Sequence, residues 1–165
     1  MLIPRDHPLA GVNDSFNAVF VHGDAVDDAM FQGRGAGKLP TASAVMGDVF
    51  EIARDLRAGS TGRINCTCYK ELRLKPAEEM ENRYFIRMQV EDQPGVLASI
   101  ASVFGNHHVS IAQVIQKSVS GGVAELVVIT DKVVERHFRD ALLIMGEMSI
   151  VKEISSVLRV YTQNH

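Results

Sequence analysis

The chain has 165 residues, 46% of them hydrophobic and 22% charged, with a net charge of −3. That is the profile of a globular protein with room for one domain or two small ones. A basic block is missing, which argues against nucleic acid, and no apolar run approaches a bilayer span. With no signal-peptide pattern at the N-terminus, a cytoplasmic location is expected.

Residues 1 to about 57 carry two strand-like runs, a glycine-rich turn and one helix. The turn, Gly33-Arg34-Gly35-Ala36-Gly37-Lys38-Leu39-Pro40, fails two nucleotide motifs on spacing. A dinucleotide fingerprint needs a glycine at Lys38, and a P-loop needs one at Gln32 and Ser or Thr at Leu39. What remains is a loop feeding a helix, with Pro40 suited to the first turn. Ala44, Val45, Val49, Ile52, Ala53 and Leu56 build one apolar face, expected to dock on the chain's own second domain or on a neighbouring chain.

Residues 58–83 connect. Gly59-Ser60-Thr61-Gly62 marks a break, and Pro76-Ala77-Glu78-Glu79 reads as a linker. Cys66 and Cys68 cannot complete a zinc site by themselves, and free thiols in a reducing compartment are expected. His7, His22, His107 and His108 show neither triad nor metal spacing, so no metal site is expected.

From residue 84 to 161 the pattern reads strand, helix, strand, strand, helix, strand. Tyr84, Ile86, Met88 and Val90 alternate with Phe85, Arg87, Gln89 and Glu91, the period of a strand. After Asp92-Gln93-Pro94-Gly95, the residues Val96, Leu97, Ile100, Ala101, Val103 and Phe104 recur at helical spacing. A helix start offers free backbone N–H groups and the positive end of its dipole, a natural seat for a carboxylate. Val109 to Val119 is the second strand and Ser120-Gly121-Gly122 a hairpin turn. Ala124 to Thr130 follows, its run Leu126-Val127-Val128-Ile129 suggesting burial on both faces. Asp131 is a candidate cap for a helix with the stripe Val134, Phe138, Ala141, Leu142 and Met145. Ile150 to Tyr161 closes the sheet. This order predicts an α/β (α+β) fold, a ferredoxin-like βαββαβ domain with an antiparallel four-stranded sheet and both helices on one face. On the other face Phe85, joined by Val114 or Val127, would form a patch that wants a partner.

Asp92-Gln93-Pro94-Gly95-Val96-Leu97 and Val109-Ser110-Ile111 make residues 84–161 resemble an ACT domain, an amino-acid-sensing module. The resemblance implies an effector held by Asp92, Gly95, Val96 and Leu97 on one side and by Ser110 and Ile111 on the other, usually between two domains. It also implies a homodimer or higher homo-oligomer.

The run Gly33 to Asp48, with His7-Pro8-Leu9-Ala10, Asn17-Ala18-Val19 and Gly23-Asp24, resembles the end of the catalytic region of homoserine dehydrogenase. In that family the glycine loop nears the nicotinamide cofactor, so Gly37 and Gly35 are the expected contacts to NAD or NADP. The family's Rossmann domain, catalytic lysine and substrate-binding acids lie upstream of the matching region. The resemblance therefore implies a C-terminal fragment, with no catalytic residue of its own, no bound cofactor and no activity without the missing N-terminal part. Threonine, the usual feedback inhibitor of the family, is the expected effector. Two alternatives stand beside this reading, a free-standing amino-acid-binding regulator acting in trans and a purely structural dimerisation module.

Overall fold

The computed structural model describes residues 1–60, 70–119 and 121–162. The chain forms two compact units, one of Pro4–Leu72 and one of Met1–Ile3 with the chain from Arg73 on.

In the first unit a short 3-10 turn, Pro8–Gly11, precedes an antiparallel hairpin of β1 (Phe16–Gly23) and β2 (Asp27–Arg34). Helix α1 follows at Lys38–Ala58 and ends on Gly59, whose φ of +65° gives the left-handed turn that lets its N–H reach back to Leu56. No residue of α1 is buried. Val45, Val49, Ile52 and Leu56 are all exposed, Leu56 at 77%. Among the described residues none before Tyr84 is buried, so this unit has no core of its own.

The second unit holds β3 (Glu81–Glu91), α2 (Val96–Asn106), β4 (Ile111–Val119), β5 (Val123–Thr130), β6 (Val133–Val134), α3 (Glu135–Glu147) and β7 (Val151–Val160). The sheet runs β4-β5-β3-β7, every pairing antiparallel. With α2 and α3 supplying the apolar layer over it, this is the predicted βαββαβ fold. Alternation decides the core. Tyr84, Ile86, Met88 and Val90 of β3 and Ala124, Leu126 and Val128 of β5 are buried against Ile100 and Phe104 of α2 and Phe138, Ala141 and Met145 of α3.

Four local expectations are corrected. The second strand begins at Ile111, with Val109 buried ahead of it. β5 is buried on one face only, because Val127 and Ile129 are just half-buried between their neighbours. Asp131 does not cap α3; the cap position is Val134, after Val133–Val134 pair with Glu81–Asn82 at the start of β3. Val114 pairs with Val128 and so shares the helix side, whereas Ile115 pairs with Val127 on the opposite face.

That opposite face carries Phe85, Val127 and Ile129 as cross-strand neighbours, with Ile115 exposed at 41%. A further strand-like piece joins the far edge. Leu2 bridges Val160 in parallel, its N–H donating to the Arg159 carbonyl at 2.7 Å and its carbonyl accepting from Tyr161 at 2.8 Å.

Candidate functional site

The loop between β3 and α2 is built by backbone. The N–H of Asp92 donates to the Gly122 carbonyl at 2.9 Å, which ties the loop to the β4–β5 turn. Gly95 sits at φ +91°, a conformation costly for any residue with a Cβ, and it occupies the cap position of α2 without a capping side chain. Its carbonyl accepts from the Ser99 backbone at 2.9 Å and the Ser99 hydroxyl at 3.1 Å. The N-terminal end of α2 therefore faces the loop with no side-chain oxygen of Gly95 over it.

A cavity of about 370 Å³ opens here, lined by Asp92, Gln93, Gly95, Val96 and Leu97 with Val90, Gln116 and Leu126. Four of the six predicted effector positions are thus together. The chemistry suits a small zwitterion. A helix start and amides meet a carboxylate, Asp92 meets an ammonium group, and Val90 and Leu126 supply an apolar base. Ser110 and Ile111 are elsewhere. Ile111 pairs with Thr130, and the Ser110 carbonyl accepts from Asp131 at 2.9 Å, both at the end of β5 remote from Gly122. Within one domain the two predicted halves do not meet.

Gln116 is the lining residue that the motif did not indicate. It pairs with Leu126, whose side chain is buried on the helix side of the sheet. A polar residue in an inward-facing register of a strand was the available signal.

In the first unit, Gly37 caps α1 at φ +125°, beside an open cleft lined by Gly37, Lys38, Thr41, Ala42, Val45 and Met46. Bare backbone at a helix start fits close approach by a dinucleotide. Gly35 is different. A Cβ there would lie 1.7 Å from Nδ2 of Asn17, so its need for glycine is met by packing across the hairpin. Among the described residues no group of three or more His, Cys, Asp or Glu is placed to hold a metal. Cys66 and Cys68 lie outside the described residues. No helix among those residues is long and apolar enough to cross a membrane.

One polar cluster, with Tyr84 and Glu135 buried and Arg159 exposed, was not legible in advance. The Tyr84 hydroxyl donates to Glu135, and the Arg159 guanidinium reaches the same carboxylate through Nε at 3.2 Å and Nη2 at 3.1 Å to each oxygen. Burial, then the hydrogen bond to Glu135, pushes the Tyr84 phenol above its ordinary value. The hydrogen bond with Tyr84, then Glu135, raises the Arg159 guanidinium.

Two family models match separate stretches of the chain. Residues 84–143 match the family model of the ACT domain, which with the βαββαβ fold makes the second unit an ACT domain. Residues 1–50 match the model for homoserine dehydrogenase. The chain is 41% identical to the homoserine dehydrogenase of Synechocystis over 96% of its length, and 35% identical to that of Bacillus subtilis over 96%. It spans only 37–38% of the length of these curated relatives. A crystal structure of a homoserine dehydrogenase from Thiobacillus denitrificans is similar with a TM-score of 0.77 and 27% identity, over 96% of this chain and 37% of that one. The enzyme from S. aureus at pH 6.0 gives a TM-score of 0.51 at 25% identity, over 98% and 36%. The chain is thus similar to the C-terminal part of homoserine dehydrogenases, with an ACT domain matched at residues 84–143.

Proposed function

We propose that this chain is the regulatory portion of an NAD(P)-dependent homoserine dehydrogenase, the oxidoreductase that converts L-aspartate semialdehyde to L-homoserine. Its ACT domain binds an amino-acid effector, threonine first, at the loop before α2. The observation that carries this reading is the cavity of Asp92, Gln93, Gly95, Val96 and Leu97 on an ACT domain continuous with a homoserine dehydrogenase segment. Ser110 and Ile111 complete the site from a second copy, since one domain holds them at the opposite end of β5. The apolar neighbours Phe85, Val127, Ile129 and Ile115 favour such association. Feedback follows if threonine prefers one conformation of the whole enzyme over another.

Gly37, with Gly35 behind it, is the proposed contact to the nicotinamide cofactor. When bound, that cofactor exchanges the hydride. The chain's own part is a bare helix start that approaches it closely.

A thermal-shift titration with the common amino acids tests the effector site. Threonine at about a hundred times its dissociation constant adds roughly 2.7 kcal/mol, a rise of several degrees in Tm. Gly95→Val abolishes that rise by straining the φ +91° position. A flat response to every amino acid from a folded dimer would sink the sensing role and leave a dimerisation module.

A further inference from the structure

A second cavity lies in the ACT domain, between α3 and β7, away from the loop before α2. It is a half-open cleft of about 400 Å³. Its base is the stacked pair Tyr84 and Phe138, each 2% exposed, and Leu142 and Val157 make half-buried walls. Met1 closes one side, on the segment that Leu2 fastens to β7.

Among the residues that line this cavity the charges do not cancel. Arg159 and Glu135 neutralise each other through the paired contacts described above. Arg139 lies four residues after Glu135 on the same helix and lines the same cavity. Among the described residues it has no ion pair, and it is exposed. Arg139 also lines an adjoining cleft with Glu78, Arg136 and Asp140, without an ion pair to either carboxylate. A cleft with aliphatic walls and an unpaired guanidinium at its rim is complementary to a single negative charge on an apolar body.

We propose that this cavity binds a small monocarboxylate with a branched or aromatic body, its carboxylate on Arg139 and its body against Leu142 and Val157. The site is independent of the effector loop. Because Met1 forms one wall, occupancy adds contacts to residues 1–3 and slows opening of the hydrogen bonds that Leu2 makes to β7.

The test uses the full chain labelled with ¹⁵N and titrated with phenylacetate and 3-methylbutanoate, with benzylamine as the cation of matched body. Expected are saturating shifts at the Arg139, Leu142 and Phe138 amides for both acids but not for the amine, with slower hydrogen exchange at Leu2. Arg139→Glu, on an exposed position, weakens binding by about tenfold or more. Leu142→Trp, which fills the cleft, removes it. Gly95→Val leaves it intact, so failure here is distinguishable from failure of the effector site. Equal shifts with benzylamine, binding that survives both cavity variants, loss in Gly95→Val, or no saturating shift would each overturn the proposal.

Discussion

The Tyr84 ring lies flat on that of Phe138, with centroids 3.6 Å apart and planes within 5°. This contact joins the first strand of the ACT domain to its last helix across the middle of the core. Both rings are almost wholly shielded, so neither can be trimmed without leaving a void. Phe138→Ala is expected to cost about 3–5 kcal/mol in urea unfolding followed by circular dichroism. A loss below about 1 kcal/mol would mean that the core closes over the gap.

The phenol of Tyr84 also sets an alkaline limit. Its pKa in the folded chain is raised, by burial first and by Glu135 second, so folding favours the protonated form. That contribution is complete below the unfolded value of about 10 and is lost as pH rises through the higher folded value. Tm should therefore fall steeply in that window, and Tyr84→Phe should flatten the fall. At neutral pH the same variant removes one donor from the Glu135 carboxylate and costs about 1–3 kcal/mol. An unchanged alkaline slope in Tyr84→Phe would assign the loss to other groups.

Gly35 and Asn17 form a testable pair. Gly35→Ala drives a methyl into the Asn17 amide, which must swing away from its place on the hairpin. A loss of about 1 kcal/mol is expected, and little of it should remain when Asn17→Ala is added. Additive losses in the double mutant would show that Gly35 is constrained by something other than Asn17.

The exposed face of α1 has its own expected behaviour. Val45, Val49, Ile52 and Leu56 stand in water, and apolar surface costs about 25 cal/mol per Å² there. Light scattering after size exclusion should show association that grows with concentration. Val49→Lys with Ile52→Lys should lower the mass. If the double variant leaves the mass unchanged, association runs through another surface, the face around Phe85 and Ile115 being the next to mutate.

Much of the ACT domain could be read in advance because its signals are local. Alternation around Tyr84, Ile86, Met88 and Val90 assigns a strand and its inward face, and Pro94-Gly95 marks the turn to a helix. Asp92, Gly95, Val96 and Leu97 fall in one cavity because four near neighbours on one loop stay together whatever the rest does. Ser110 and Ile111 carry no such guarantee; family position names a residue but not what it lies beside in the fold. Gln116 reaches the cavity through cross-strand register, which a single strand does not reveal. The Tyr84–Glu135–Arg159 cluster was invisible for the same reason, its members being brought together only by the packing of β3, α3 and β7. In residues 1–57 the period correctly gave a helix, but periodicity says nothing about whether a covering partner is present.

Leu2 lies on the edge of a sheet whose other strands begin some eighty residues later. The chain thus enters that sheet, leaves it for a whole separate unit, and returns. The compact unit that begins again at Arg73 is therefore not one continuous stretch of chain. Cutting the chain between residues 3 and 73 would strip that contact from β7 and leave the Arg159 carbonyl and the Tyr161 N–H without it.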